Sequence, residues 1–443
     1  MEALLKWAAE LGVSDSPSPS PPPLSSSPSG TTSSSSPSSC LGRSLVVADF
    51  PDAGGRGLAA ARDLRRGELV LRAPRAALLT SDRITADDPR IAACVNAHRP
   101  RLSSVQILIV CLLAEVGKGR NSVRYPYLSQ LPSYYTILAT FNDFEVETLQ
   151  VSSRTLHIAW DEAGCLCPVG DLFNYAVPDD DTLLEEEDTA ELTNCQQKNE
   201  LNNSSERLTD GGYEDSNAYC LYARKQYKKG EQVLLGYGTY TNLELLEHYG
   251  FLLGENPNEE TFIELDLDIC SVGTWPKDSM YIHRNGHPSF ALLCALRLWS
   301  TPANRRKAVS HQIYSGSILS TENEMGILKW LIRKCEGTLQ QLPTTVEFDE
   351  SLLVFLRTIQ NSSNCRTDVK RSGFEQEFAV FLRVHQVELD CSGNNQLPAR
   401  LLRSLERWEL AVQWRCNYKK ILKKCVSYCE SLVLELPLQL NQQ

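Results

Sequence analysis

The residues of this chain whose types and spacing invite chemistry fall in three short runs. Asp171-Leu172-Phe173-Asn174-Tyr175 sets a carboxylate, an amide and a phenol close together after Pro168-Val-Gly; an asparagine so placed can bind a polar ligand or close an Asx-turn. Further along, Gly230-Glu231-Gln232 leads to Tyr237-Gly238, and Asn242-Leu243-Glu244 leads to Tyr249-Gly250-Phe251. A phenol beside a reacting centre offers a hydroxyl and an oriented dipole, and a phenol in a core is a packed aromatic. Upstream, Gly54-Gly55-Arg56-Gly57 removes side chains where a ligand could touch backbone, or where a hairpin simply turns. Cys165 or Cys167 with His157 would make a hydrolase pair, but nothing marks an oxyanion loop, and free cysteines are mostly buried structural residues.

Other chemistries fall away on spacing. No Gly-x-Gly-x-x-Gly and no Gly-Lys-Ser/Thr phosphate loop occurs. The 15 cysteines include no Cys-x-x-Cys, and the remaining histidines (98, 248, 283, 287, 311, 385) form no ligand pattern, so no metal is expected. Scattered cysteines read as reduced thiols of an intracellular protein. No apolar run reaches the ~18 residues of a membrane helix. The net charge of −11 belongs to one stretch: residues 178–217 hold 13 acids against Lys198 and Arg207, leaving 42 bases and 42 acids elsewhere. That neutrality argues against a nucleic-acid-binding face.

The elements that must carry these residues divide the 443-residue chain, which is long enough for two cores. Residues 1–13 read as a helix through Leu4, Leu5, Ala8 and Leu11. Residues 14–40 are a Ser/Pro linker with too little apolar surface to order itself. Short strands follow from Leu45, with a turn expected at 54–57 and further strands at 58–61, 69–71, 219–223 and 232–235. Residues 104–116 are apolar on almost every side, as in a buried helix. The acidic stretch 178–217 lacks periodicity and reads as an insertion. Beyond 254 the pattern is helical, at 289–299 and 398–435, broken at Pro343-Thr-Thr and Cys391-Ser-Gly-Asn-Asn. The expected fold is α+β, a β-rich domain at 41–254 followed by an all-helical domain at 255–443.

The order Gly-x-Gly, Asp-x-x-Asn-aromatic, Gly-Glu-Gln-x₄-Tyr-Gly and Asn-x-Glu-x₄-Tyr-Gly-Phe resembles the SET-domain protein methyltransferases. The branch it looks like is the Rubisco large-subunit methyltransferase type, which includes actin-histidine methyltransferases, and within it the plant SET domain group forty proteins. Leu4-Leu-Lys-Trp7, the run Arg56–Leu69, Tyr125-Pro-Tyr-Leu-Ser-Gln-Leu-Pro132 and the helical run Leu397–Leu410 match as well. The resemblance covers nearly the whole chain outside 14–40 and 178–217.

The resemblance implies a pseudoknotted SET fold that holds S-adenosylmethionine as methyl donor, followed by a substrate-binding domain. By position, Gly55, Arg56, Gly57, Asp171, Leu172, Phe173, Asn174, Tyr175 and Tyr237 lie at the donor. Tyr237 matches the catalytic tyrosine, and Arg154 and Tyr249 match substrate-side residues. The implied reaction is methyl transfer to a lysine, or a histidine, nitrogen of a non-histone protein by a monomer, with no membrane or nucleic acid involved. A lysine, with a pKa of about 10.4, must be neutral to attack, and an apolar aromatic channel favours that form.

Two departures bear on activity. The motif of the branch reads Asn-His, and here it is Asn174-Tyr175. A multi-helix insert that relatives carry is missing where Phe141–Gln150 runs directly into Val151-Ser-Ser-Arg154. The alternative function is therefore a catalytically impaired SET-fold scaffold that binds a partner. The expected compartment is cytoplasm, nucleus or both. Chloroplast is the alternative, since the Ser-rich start has Glu2, Glu10 and Asp15 before its first arginine, Arg43, unlike transit peptides. The acidic stretch could also screen basic peptides near the groove.

Overall fold

The computed structural model describes residues 1–16, 39–50, 55–131, 154–158, 160–176, 212–215, 217–236, 238–362, 365–387 and 397–440, with the backbone alone at 212–215, 365–367 and 437–440. Tyr237, the junction at 150/151, most of the acidic stretch and the break at Cys391–Asn395 lie outside the described residues. Two compact units result, one ending at Thr239 and one running from Tyr240 to Gln443.

The first unit starts with helix α1 (Glu2–Glu10), whose Leu4 and Ala8 lie one turn apart and enter the unit's core. The supposed linker is anchored at both ends. Ser14 bridges to Arg72, the Asp15 amide donates to Cys40 O at 3.0 Å, and the Asp15 carboxylate accepts the amides of Gly42, Arg43, Ser44 and Leu45 at 2.8–3.0 Å. One carboxylate oxygen thus satisfies the four donors that open the next strand, and a charged acceptor strengthens each bond.

Strands β1 (Leu45–Phe50) and β2 (Gly55–Ala60) pair antiparallel, Phe50 facing Gly55. Of the expected 54–57 turn, Gly55, Arg56 and Gly57 are strand residues, and Gly54 lies outside the described residues. β3 (Leu69–Pro74) leads to helices α2 (Ser81–Asp87), α3 (Pro89–His98), α4 (Ser104–Gly117) and α5 (Tyr125–Leu128). A capping box starts α4: Ser103 Oγ accepts from the Gln106 amide, and Gln106 Oε1 from the Ser103 amide. Its Ile107, Leu108, Ile109, Cys111 and Leu112 are buried as the sequence predicts, but Val116 is exposed.

β4 (Thr155–Ile158) pairs antiparallel with β5 (Asp161–Leu166), and the two-residue β6 (Asn174–Tyr175) follows. Residues 212–215, read above as part of a structureless acidic insertion, form β7 (Gly212–Asp215), a hairpin arm against β8 (Ala218–Tyr222) in a sheet of order β3-β8-β7. β9 (Leu234–Leu235) pairs parallel with β6.

In the second unit, α6 (Asn242–Tyr249) has a Thr241/Glu244 capping box and stops at Gly250, whose φ of +75° suits the left-handed cap. The sequence boundary at 254/255 falls later than the observed division at Tyr240, and residues 240–259 are tied together by side-chain bonds. The Asn242 amide exchanges two bonds with Leu253, and Asn256 Nδ2 donates to Tyr240 O at 2.7 Å. The unit is not wholly helical: β10 (Glu260–Thr261) and β11 (Ile282–His283) form a ribbon around the short α7 (Leu267–Ser271).

Helices α8 (Phe290–Trp299), α9 (Ala303–Tyr314), α10 (Thr321–Gln341), α11 (Val346–Gln360), α12 (Cys365–Ser372), α13 (Glu375–Val384) and α14 (Ala399–Leu440) complete the unit. α14 spans two cores, Leu401, Leu405 and Val412 with α11 and α13, then Ile421, Leu422 and Cys425 with α8 and α10. Between these cores Asp349, fully buried, binds Lys419 Nζ at 2.6 Å and Arg415 Nη2 at 2.5 Å.

Two stability outcomes follow. Asp15→Ala, which strips the acceptor from four amides, should lower the unfolding free energy by roughly 2–4 kcal/mol in urea titration. Burial, reinforced by the Glu260 and Glu244 carboxylates, pushes the Glu259 carboxyl up to about 6 even though it accepts the Asn242 amide. A carboxyl whose folded pKa is raised favours the fold while protonated, and that contribution is lost as pH rises through about 6. Glu259→Gln should therefore raise the thermal midpoint at about pH 8 and change it little at about pH 4.

Candidate functional site

The segment Gly230–Leu235 brings the first two runs together. Its first half pairs antiparallel with β2: Gly230 N donates to Ala60 O, Ala60 N to Glu231 O and Val233 N to Leu58 O, at 2.8–2.9 Å. Its second half, β9, pairs parallel with β6, Asn174 opposite Leu234 and Tyr175 opposite Leu235. Val233 and Leu235 are buried in the core, which pins the segment's register.

Gly57 and Asn174 are therefore neighbours. A Cβ on Gly57 would stand 2.7 Å from Asn174 Nδ2 and 2.9 Å from Gln232 Nε2, closer than such atoms approach, so glycine lets the β2 backbone lie against those two amides and a larger residue would turn their ends aside. Asn174 Nδ2 also reaches Arg56 O at 3.5 Å. The Arg56 guanidinium turns away, donating to Gln130 O at 3.0 Å. Leu172 and Phe173 are buried side chains of the core, and their amides donate to Val169 O and Gly170 O.

Asp171 lies at the centre of a buried network. Its Oδ2 accepts from Tyr127 Oη at 2.9 Å and Arg154 Nη1 at 3.0 Å, and Arg154 also donates to Asp171 O at 3.3 Å. Its Oδ1 is buried with no hydrogen-bond partner among the described residues. Burial first, then the Asp171 carboxylate, hold the Tyr127 phenol well above its usual range, so it remains a donor. Just upstream, Val169 has φ +72°, a left-handed conformation that a β-branched residue rarely adopts, and the turn it forms aims Asp171 inward. Tyr175 Oη donates to Gly238 O at 2.9 Å.

Of the residues expected at the site, Gly55, Arg56, Gly57, Arg154 and Asp171–Tyr175 lie on adjoining elements of the first unit. Tyr237 lies outside the described residues. Tyr249 ends α6 in the second unit, its ring centroid 5.4 Å from Tyr240 and 6.2 Å from Phe251. Tyr127 and Gln232 were not singled out from the sequence, although both fall in stretches that carry the resemblance. Cys165 and Cys167 are buried, and burial pushes Cys165 up to about 12 and Cys167 well above the usual thiol range, so neither is a poised nucleophile.

Residues 244–422 match the Rubisco LSMT substrate-binding family model. The protein SET DOMAIN GROUP 40 of Arabidopsis thaliana is 43% identical over 482 residues, covering 97% of this chain and 95% of that protein. This chain belongs to the SET-domain proteins of the Rubisco large-subunit methyltransferase type. The actin-histidine N-methyltransferase of Gallus gallus is 24% identical over 75% of this chain and 63% of its own length. Among solved structures, Rubisco LSMT bound to sinefungin and monomethyllysine matches with a TM-score of 0.55 at 16% identity, over 97% of this chain and 91% of that one. Rubisco LSMT bound to AdoMet matches at 0.54 and 17%, over 89% and 88%. The fold is thus the SET fold of this family with its substrate-binding domain.

The network carries a stability prediction. Tyr127→Phe should cost about 1–2 kcal/mol in denaturant titration, because Arg154 still satisfies Asp171. Arg154→Met, which leaves the carboxylate without its cation, should cost more, roughly 3 kcal/mol.

Proposed function

We propose that this chain is an S-adenosylmethionine-dependent protein methyltransferase acting on a lysine or histidine nitrogen of a non-histone protein. The observation that carries the proposal is the apposition of Gly57 and Asn174, a bare backbone edge beside a side-chain amide. The residues present fit the donor: a glycine edge with the Asn174 amide against it, and an Asp171 Oδ1 that has no hydrogen-bond partner among the described residues and would accept from a cationic or N–H-bearing group. Gly55, Gly57 and Asn174 would hold it, with the backbone of 171–175. When bound, it supplies an electrophilic methyl group on a sulfonium.

The remaining chemistry is positioning. Arg154 and Tyr127 fix the Asp171 carboxylate before any ligand arrives, so little reorganisation is needed. Tyr237 is assigned a hydroxyl at the reacting nitrogen, and Tyr249 an aromatic wall that favours the neutral amine. Alignment of two reactants can supply about 7–11 kcal/mol of the barrier. The substrate is a protein met by the second unit, and the enzyme acts as a monomer, in cytoplasm or nucleus, with chloroplast as the alternative. No helix among the described residues is long and apolar enough to cross a membrane.

One observation favours the scaffold reading as the alternative. The alignment with the Arabidopsis relative extends over 482 residues against 443 in this chain, so the relative has at least 39 residues that find no counterpart here. A substrate groove short of a helical block would bind its target less tightly.

Tritiated-donor labelling of a plant extract should yield a discrete labelled protein, which Tyr237→Phe reduces by roughly a hundredfold. Gly57→Ala should weaken S-adenosylhomocysteine binding in calorimetry at least about tenfold, or ~1.4 kcal/mol, with only a small fall in the thermal midpoint of the apo protein as the two amide ends turn aside. No heat of binding by the wild type, together with no labelling, would leave the scaffold reading standing.

A further inference from the structure

Two turns of the first unit share one pattern, basic-basic-Gly-Glu: Arg65-Arg66-Gly67-Glu68 after β2 and Lys228-Lys229-Gly230-Glu231 before β9. They close alike. Glu68 N donates to Arg65 O and Glu231 N to Lys228 O, and the glycines have φ +78° and +88°. Each glutamate accepts the amide of its turn's first basic residue, at 2.8–3.0 Å. Leu64 and Tyr227, both buried, exchange backbone bonds at 2.9 and 3.1 Å and hold the turns side by side. Asp63 ties them again, accepting from Lys228 Nζ and the Lys229 amide at 3.0 Å. Residues 62–68 and 225–231 hold six cations against three carboxylates, and all three carboxylates already accept bonds within the pair of turns. Arg65, Lys225 and Lys229 are exposed and form no ion pair among the described residues. An open cleft of about 690 Å³ runs along the first turn, lined in part by Arg62, Arg65, Arg66 and Gln226.

We propose that this cleft docks an extended acidic segment of a partner protein. Charge complementarity argues for that occupant: the carboxylates of the two turns are spent on the turns themselves, and the surplus cations face solvent. The Arg65 guanidinium offers a planar fork to a carboxylate, and Lys225 and Lys229 add charge beside it. Backbone bonds fix both turns beforehand, so little order is lost on binding. Nucleic acid suits the surface less, since it needs many phosphate contacts and the chain outside 178–217 has no surplus of bases. The cleft does not depend on the methyltransferase reading; only the idea that its partner is also methylated would.

The test is the fluorescence anisotropy of a labelled oligoglutamate peptide titrated with the full chain. The wild type should bind it, and affinity should fall at least about threefold between about 50 and about 200 mM salt. Arg65→Glu combined with Lys229→Glu should weaken binding at least about tenfold. The thermal midpoint should be nearly kept, because neither side chain gives up an ion pair. Asp63→Asn keeps an oxygen for the Lys229 amide and removes a negative charge from the cleft, so it should tighten binding about two- to threefold, a gain that misfolding cannot produce. Equal binding by the wild type and the double variant overturns the proposal, and so does a wild type that does not bind. Tighter binding of a single-stranded oligothymidylate than of oligoglutamate overturns it in favour of nucleic acid. Binding that appears only when the acids of 178–217 are neutralised assigns the cleft to the chain's own acidic stretch and overturns the partner.

Discussion

A single extended segment, 230–235, shares its backbone hydrogen bonds between two partners that are otherwise far apart in sequence. β2 takes the first half and β6 the second. Each pairing is short, and an isolated pair of that length has no stability of its own. What holds the register is burial: Val233 and Leu235 on the segment, Leu58 on β2 and Phe173 before β6 all enter one core. A slip of one residue would turn those side chains to solvent and separate Gly57 from Asn174. The arrangement at the site is thus paid for by apolar burial rather than by the polar groups that line it.

Those polar groups are not all satisfied. Tyr127, Arg154 and Asp171 form a compact set in which the phenol and the guanidinium both meet Asp171 Oδ2, while Oδ1 has no hydrogen-bond partner among the described residues. A buried unpaired acceptor is costly in a finished fold. Together with the left-handed Val169 just before it, it concentrates unfavourable local terms where a ligand would relieve them. The second unit shows the contrasting case. Asp349 is satisfied by Lys419, Arg415 and Thr344, and Arg297 meets Glu324 through two bonds. Complete networks of that sort fix how helices register on one another.

Helices were legible where apolar residues recur at helical spacing or fill every side, as in α1, α4, α8 and α14. The caps that fix their ends, such as Ser103 with Gln106 and Thr241 with Glu244, went unread. The order of motifs around Gly57, Asn174 and Tyr237 disclosed the family. Other features were hidden for physical reasons. The two-residue β6 is too short to show a period, and although a strand was expected at 232–235, its pairing with β6 is set by the core rather than by its own residues. Glycine-rich composition made 55–57 read as a turn, whereas these are strand residues and Gly57 has the Asn174 amide packed against it. Acidic composition masked β7, which pairs antiparallel with β8. Tyr127 gave no sign of its partner, Asp171, because a contact across 44 residues leaves no local trace.

Asp15 has one further consequence. Because its amide meets Cys40 O and its carboxylate gathers the amides of 42–45, the Ser/Pro run between them is a closed ring whose two ends are already joined. Ring closure becomes only slightly more demanding as a ring grows, by about 0.6 kcal/mol per doubling. Evolution is therefore at liberty to lengthen, shorten or rewrite that run almost without penalty, while the helix before it stays as fixed as any other wall of the core.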